Sequence, residues 1–181
     1  MESLETLVKR HLNEFPDFQY YGAFAEFISV IESYHKTLHV GISVDCCNSL
    51  VHSICKTIIT QITKKKASDL DSREYNNADK IIKEAVKLIQ KNDDIYERNL
   101  TSQLAKIGQH IYDLRRARGE ISHGRSIPKE LIDDQDLSRL LKEITESLAR
   151  YLISSFFSFA LEKQSKEDFE IKESRIRYEE N

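Results

Sequence analysis

Arg118 and His123 are separated by four residues in the run Arg115-Arg116-Ala117-Arg118-Gly119-Glu120-Ile121-Ser122-His123-Gly124, and Arg116 is separated from the same histidine by six. Between Lys106 and Lys129 there are six basic residues against two acidic ones, so the segment is locally basic in a chain whose net charge is -3. The arginine fork matches phosphate oxygens and stays charged at any relevant pH. Cutting RNA without a metal needs a base for the 2′-hydroxyl proton, an acid for the leaving 5′-oxygen and a cation for the developing phosphorane charge. Histidine suits the proton transfers, because its ordinary pKa lies near neutrality; arginine suits the charge. The reading makes Arg118 and His123 the catalytic pair, with Arg115, Arg116, Ser122, Arg125 and Lys129 holding the strand. One histidine moves one proton at a time, so two chains sharing a groove would supply the pair, and a homodimer is expected. The same residues also suit a plain helix end. Cations are favoured by the helix dipole there, and a histidine before glycine serves as an ordinary loop or cap residue.

Such a cluster works only if something positions it. Five glycines and two prolines in 181 residues leave few tight reversals, which points to long helices and an all-α fold. With 40% hydrophobic and 31% charged residues, the composition is that of a globular domain. A pI near 6.1 excludes a protein that binds nucleic acid through its overall charge. The most apolar stretch, Tyr151 to Leu161, is shorter than the roughly 20 residues a membrane span requires, and no secretory leader is evident, so a cytoplasmic protein is expected.

Apolar spacing predicts a helix over about Glu2 to Asn13, carrying Leu4, Leu7, Val8 and Leu12, then a second over Ala23 to Tyr34. Gly41 interrupts, and Ser43 is expected to cap a helix from Val44 to about Thr63. Lys64, Lys65 and Lys66 close it, and Ser68 to Asn77 reads as a loop. Ala78 to Gln90 presents Ile81, Ile82, Ala85, Val86 and Ile89 on one face. Ile95 to about Arg115 presents Leu100, Leu104, Ile107, Ile111 and Leu114. A last long helix, about Asp133 to Leu161, carries Leu137, Leu140, Leu141, Ile144, Leu148, Tyr151, Leu152 and Phe156. The charged tail after Glu162, with Phe169, Ile171, Ile176 and Tyr178, reads equally as a hairpin, a helix end or a partner-binding segment.

The segment Leu114 to Gly124 resembles the C-terminal signature of the abortive-infection (Abi-C) family: a leucine and arginine, a short run with a glycine, then His-Gly. Ile42 to Ile58 is similar to the family's first core helix, and Gly108 falls on the helix before the motif, as it does in the family. The resemblance spans about Ile42 to Leu152. It implies a HEPN-like bundle of five to six helices that dimerises and cuts RNA without metal or cofactor through Arg-x(4-6)-His, satisfied by Arg118 or by Arg116. Family motifs usually place Asn, Asp or His after the arginine; here Gly119 or Ala117 stands there. On this basis the chain divides into an N-terminal helical segment packed on the bundle (1–40), the HEPN-like domain (41–161) and a charged tail (162–181). The expected role is an endoribonuclease of antiviral or toxin-type defence, with an antitoxin or defence-system protein as a further partner. The alternative is a non-catalytic helical adaptor that binds RNA or a protein.

Other clusters read more simply. Cys46, Cys47, His52 and Cys55 have zinc-ligand chemistry, but on a helix Cys46 and Cys47 point about 100° apart. Buried thiols acting as small apolar groups are the expectation, with no metal. His35 and His39, four residues apart, lack a companion motif and read as solvated or capping residues. Lys64 to Lys66 reads as a solvated helix end.

Overall fold

The computed structural model describes residues 3–14, 29, 33, 40–71, 77–90, 95–118 and 135–179, with the backbone alone at some positions, Arg115 and Arg118 among them. All the regular structure among these residues is helical: α1 (Leu4–Glu14), α2 (Val40–Thr63), a 3-10 turn (Ala67–Asp71), α3 (Ala78–Ile89), α4 (Ile95–Arg118) and α5 (Gln135–Glu179). The expected helix over Ala23 to Tyr34 lies outside the described residues except for Ser29, which is helical, as is Ser33. His35 and His39 also lie outside them.

Helix α2 is the centre of the bundle and packs against α3, α4 and α5, while α1 lies on α5. It buries Cys47, Leu50, Val51, Ile54, Cys55, Ile58 and Ile59. Each fully buried leucine or isoleucine contributes about 1.5–3 kcal/mol. The helix starts before the expected Ser43 cap, at Val40, so Gly41 and Ser43 lie within its first turns. Once nucleated, a helix gains a hydrogen bond with each added residue. One glycine, at about 1 kcal/mol, does not outweigh that extension. At the other end Lys64 turns left-handed, with φ 58°, and its amide donates to the Thr60 carbonyl at 2.9 Å. The loop expected from Ser68 is ordered in its first part. In the 3-10 turn the Lys66 amide donates to the Asp69 carboxylate at 3.2 Å, and the Asp69 amide donates back to the Lys66 carbonyl at 3.0 Å. Leu70 is thereby set into the core, fully buried.

Helix α3 begins at an Asn77 cap, whose side-chain oxygen accepts from the Asp79 and Lys80 amides at 2.9 and 3.4 Å. Helices α3 and α4 form an antiparallel hairpin. The Gln90 amide group donates to the Thr101 hydroxyl at 2.5 Å, and at the far end the Asp79 backbone donates to Gln109 Oε1 at 3.3 Å. The helices approach closely because Gly108 faces Ile82: a β-carbon there would collide with the Ile82 Cδ1 atom. The seam of α4 is therefore Thr101, Ala105, Gly108 and Ile111, all buried, whereas Leu104, Ile107 and Leu114 are half-buried at its edge. Leu100, expected on the core face, is 52% exposed. Small residues set that seam, and a search for large apolar side chains rotates the face away from them.

Helix α5 is some 67 Å long at 1.5 Å per residue. Its core face carries Leu141, Thr145, Leu148, Ala149, Leu152, Ile153, Phe156 and Phe157; Leu140, expected there, is 52% exposed. The His11 ring of α1 stacks on Phe157, centroids 3.9 Å apart and 8° from parallel. Beyond Phe157 no described side chain is buried, yet the helix runs on to Glu179. The charged tail is thus, through Glu179, a continuation of the helix and not a hairpin.

Candidate functional site

Helix α4 delivers the arginines. It continues past the expected end near Arg115 to Arg118, so Arg115, Arg116 and Arg118 all occupy its last turn. A cation in the last turn of a helix is favoured by the negative end of the dipole, by about 0.3–1 kcal/mol at an exposed site, and Arg116 is exposed there.

Arg116 is exposed, and its guanidinium carbon lies over the Tyr112 ring one turn back, 5.9 Å from the centroid. That is within range of a cation–π attraction. The half-buried Tyr112 is in turn stacked against His52 of α2, centroids 6.2 Å apart and 14° from parallel. A column of His52, Tyr112 and Arg116 therefore ties the end of α4 to the central helix. On the neighbouring face, Gln109 Nε2 donates to the Asp113 carboxylate at 2.9 Å. Since Gln109 Oε1 accepts the Asp79 amide, Asp113 is linked through it to the start of α3. His110 and Lys106 are exposed further along α4.

Of the residues expected to form the site, the structure brings together Arg115, Arg116 and Arg118 on one helical turn. Gly119, Ser122, His123, Gly124, Arg125 and Lys129 lie outside the described residues. Tyr112 and His52 are not among the partners that the sequence suggests for the arginines. The four-residue spacing of Tyr112 and Arg116 was a visible signal; the long-range approach of His52 had none in the sequence.

The thiols take the bland role. Cys47 and Cys55 are buried in the core and Cys46 is half-buried, all three free of disulfides. Burial pushes the Cys55 thiol far above its ordinary range, and burial together with the Asp45 charge raises that of Cys46. Among the described residues no group of three or more His, Cys, Asp or Glu side chains is placed to hold a metal. No helix among them is long and apolar enough to cross a membrane.

A model of the Abi-C family, described as a HEPN-like domain, matches residues 22–156. No curated protein and no solved structure is significantly similar to the chain. The matched region takes in α2, α3, α4, the whole Arg115 to Lys129 segment and the core-facing part of α5 up to Phe156. Helix α1 and the part of α5 beyond Phe156 lie outside it. A match over most of the chain, on an all-helical bundle that sets three arginines at the end of α4, carries the assignment: the chain belongs to the Abi-C family of HEPN-like domains.

Proposed function

We propose that the protein is a metal-independent endoribonuclease of abortive-infection or toxin-type defence, cutting RNA in a groove shared by two copies of the chain. The observation that carries this reading is that the family match runs through Arg118-x(4)-His123, whose arginine ends a helix that already bears Arg115 and Arg116. His123 removes the 2′-hydroxyl proton or supplies one to the 5′-oxygen. Arg118 holds the scissile phosphate and stabilises the phosphorane charge as the 2′-oxygen attacks and the 5′-oxygen leaves. Arg115, Arg116, Ser122, Arg125 and Lys129 steer the strand. The products are a 2′,3′-cyclic phosphate and a 5′-hydroxyl. The second proton transfer falls to the histidine of the other copy, which is why a dimer is part of the proposal.

The test is cleavage of RNA in chelator by the protein beside its His123→Ala variant. The wild-type protein is expected to leave cyclic-phosphate ends, and the variant to lose about 10²–10⁴-fold in rate. Equal cleavage by both, or cleavage by neither, overturns the proposal. Light scattering is expected to give twice the chain mass of 21.1 kDa.

A second reading, a helical adaptor that binds RNA or a partner protein without cutting, is favoured by two features. Gly119 follows Arg118 where related motifs carry a polar side chain, and the helical extension of α5 to Glu179 offers a charged segment to a partner such as an antitoxin. A His123→Ala variant that leaves both growth inhibition and partner binding untouched selects it.

A further inference from the structure

We propose that Tyr112, backed by His52, is a positioning residue that holds Arg116 ready as a phosphate-binding arm. The inference rests on the reading of this helix end as an RNA site, and it adds two residues which that reading does not use. Arg116 is exposed and carries a long, flexible side chain, which loses rotamer freedom when it closes on a phosphate. With its guanidinium over the Tyr112 ring, part of that freedom is already lost before RNA arrives. A guanidinium lying over an aromatic ring keeps its N–H groups at the rim, where they can still reach phosphate oxygens.

The ring would be a poor support if it could swing with its own side chain. The near-parallel His52 ring, from a different helix, opposes that motion. Both are half-buried, so the base of the column is held in the bundle while its cationic end is exposed. All three residues fall inside the matched region, 22–156. The column thus joins the central helix α2, and not only the local turn, to the placement of the arginine.

Binding of a fluorescein-labelled oligouridine whose 2′-hydroxyls are methylated is measured in chelator by anisotropy across a salt series, so that cleavage is not needed for a readout. Tyr112→Leu is expected to weaken binding roughly tenfold, the scale of one charge-assisted contact, and to lower the salt slope by about 0.7, the share of one phosphate on a single strand. Arg116→Ala is expected to do the same, and Tyr112→Leu combined with Arg116→Ala no more than either alone. Tyr112→Phe retains the ring and is expected to restore binding; His52→Ala weakens it in the same direction. Thermal melts of each variant separate a folding defect from a binding defect. Weakening by Arg116→Ala but not by Tyr112→Leu, or losses that multiply in the double variant, overturn this inference alone. If the wild-type protein does not bind the oligouridine, the RNA-site reading itself falls, and this inference with it.

Discussion

Lys64 and the three cysteines show how far a residue's setting departs from what its type suggests. In the sequence Lys64 is the first of three lysines closing a helix, a placement that the dipole favours. In the structure it also carries the left-handed backbone, φ 58°, that terminates α2, and a side chain with a β-carbon costs roughly 1–2 kcal/mol in that region. Glycine has no such penalty. Lys64→Gly is therefore expected to raise stability by about 1 kcal/mol, read as a higher denaturation midpoint at unchanged m-value; a lower midpoint would show that the lysine side chain matters more than its backbone. The cysteines make a kinetic prediction. Only a thiolate attacks a disulfide reagent, and the Cys46 and Cys55 thiols are both raised above their ordinary range. A raised value means less thiolate at a given pH, so half-buried Cys46 is expected to react slowly, faster as pH rises. Buried Cys47 and Cys55 are expected to react only on unfolding. Three fast thiols in the native protein would contradict the packing of α2.

At the scale of elements, sequence reading succeeded where large apolar residues define a face and failed where small ones do. The stripe Ile81, Ile82, Ala85, Val86 and Ile89 of α3 is buried as expected, because nothing competes with it for the core. On α4 apolar spacing points to Leu100, which is exposed, whereas Thr101, Ala105 and Gly108 are buried. Their smallness is what lets α3 and α4 approach, and only the approach reveals them. Gly108 belonged to the resemblance; the structure supplies its reason, the Ile82 side chain filling the space of a β-carbon. Ile82 is itself fully buried, so its displacement disturbs packed neighbours. Gly108→Ala is expected to cost about 1–3 kcal/mol by overpacking, offset by up to about 1 kcal/mol of helix propensity, with Gly108→Val clearly worse. Ile82→Val in the Gly108→Ala background should recover part of the loss. Denaturant unfolding of the single and double variants checks this; additive losses would mean that the two side chains do not compete.

For the whole molecule, the helical class was legible from scarce glycine and proline, and the family from Leu114 to Gly124, because both are written in local residue choice. The stack of His52 on Tyr112 was not, since it joins positions far apart in the chain. Nor was the form of the tail. Phe169, Ile171, Ile176 and Tyr178 alternate in short fragments that suit several conformations, and their backbone is a continuation of α5. A helix without a packed partner is held by its own hydrogen bonds and by side-chain pairs along it, worth only about 0.2–0.5 kcal/mol each. Among the described side chains of α5 the buried set ends at Phe157, and Leu161 is 48% exposed. A chain shortened after Lys163 is therefore expected to lose helical circular-dichroism signal in proportion to the residues removed, with its melting temperature nearly unchanged. Phe157→Ala, by contrast, removes the ring that stacks on His11 and joins α1 to the bundle, and is expected to cost about 3–5 kcal/mol. The comparison separates two roles for the extension. If shortening lowers the melting temperature as Phe157→Ala does, the extension is part of the folded assembly. If the melting temperature holds while growth inhibition or partner binding is lost, the extension serves a partner and the bundle stands without it.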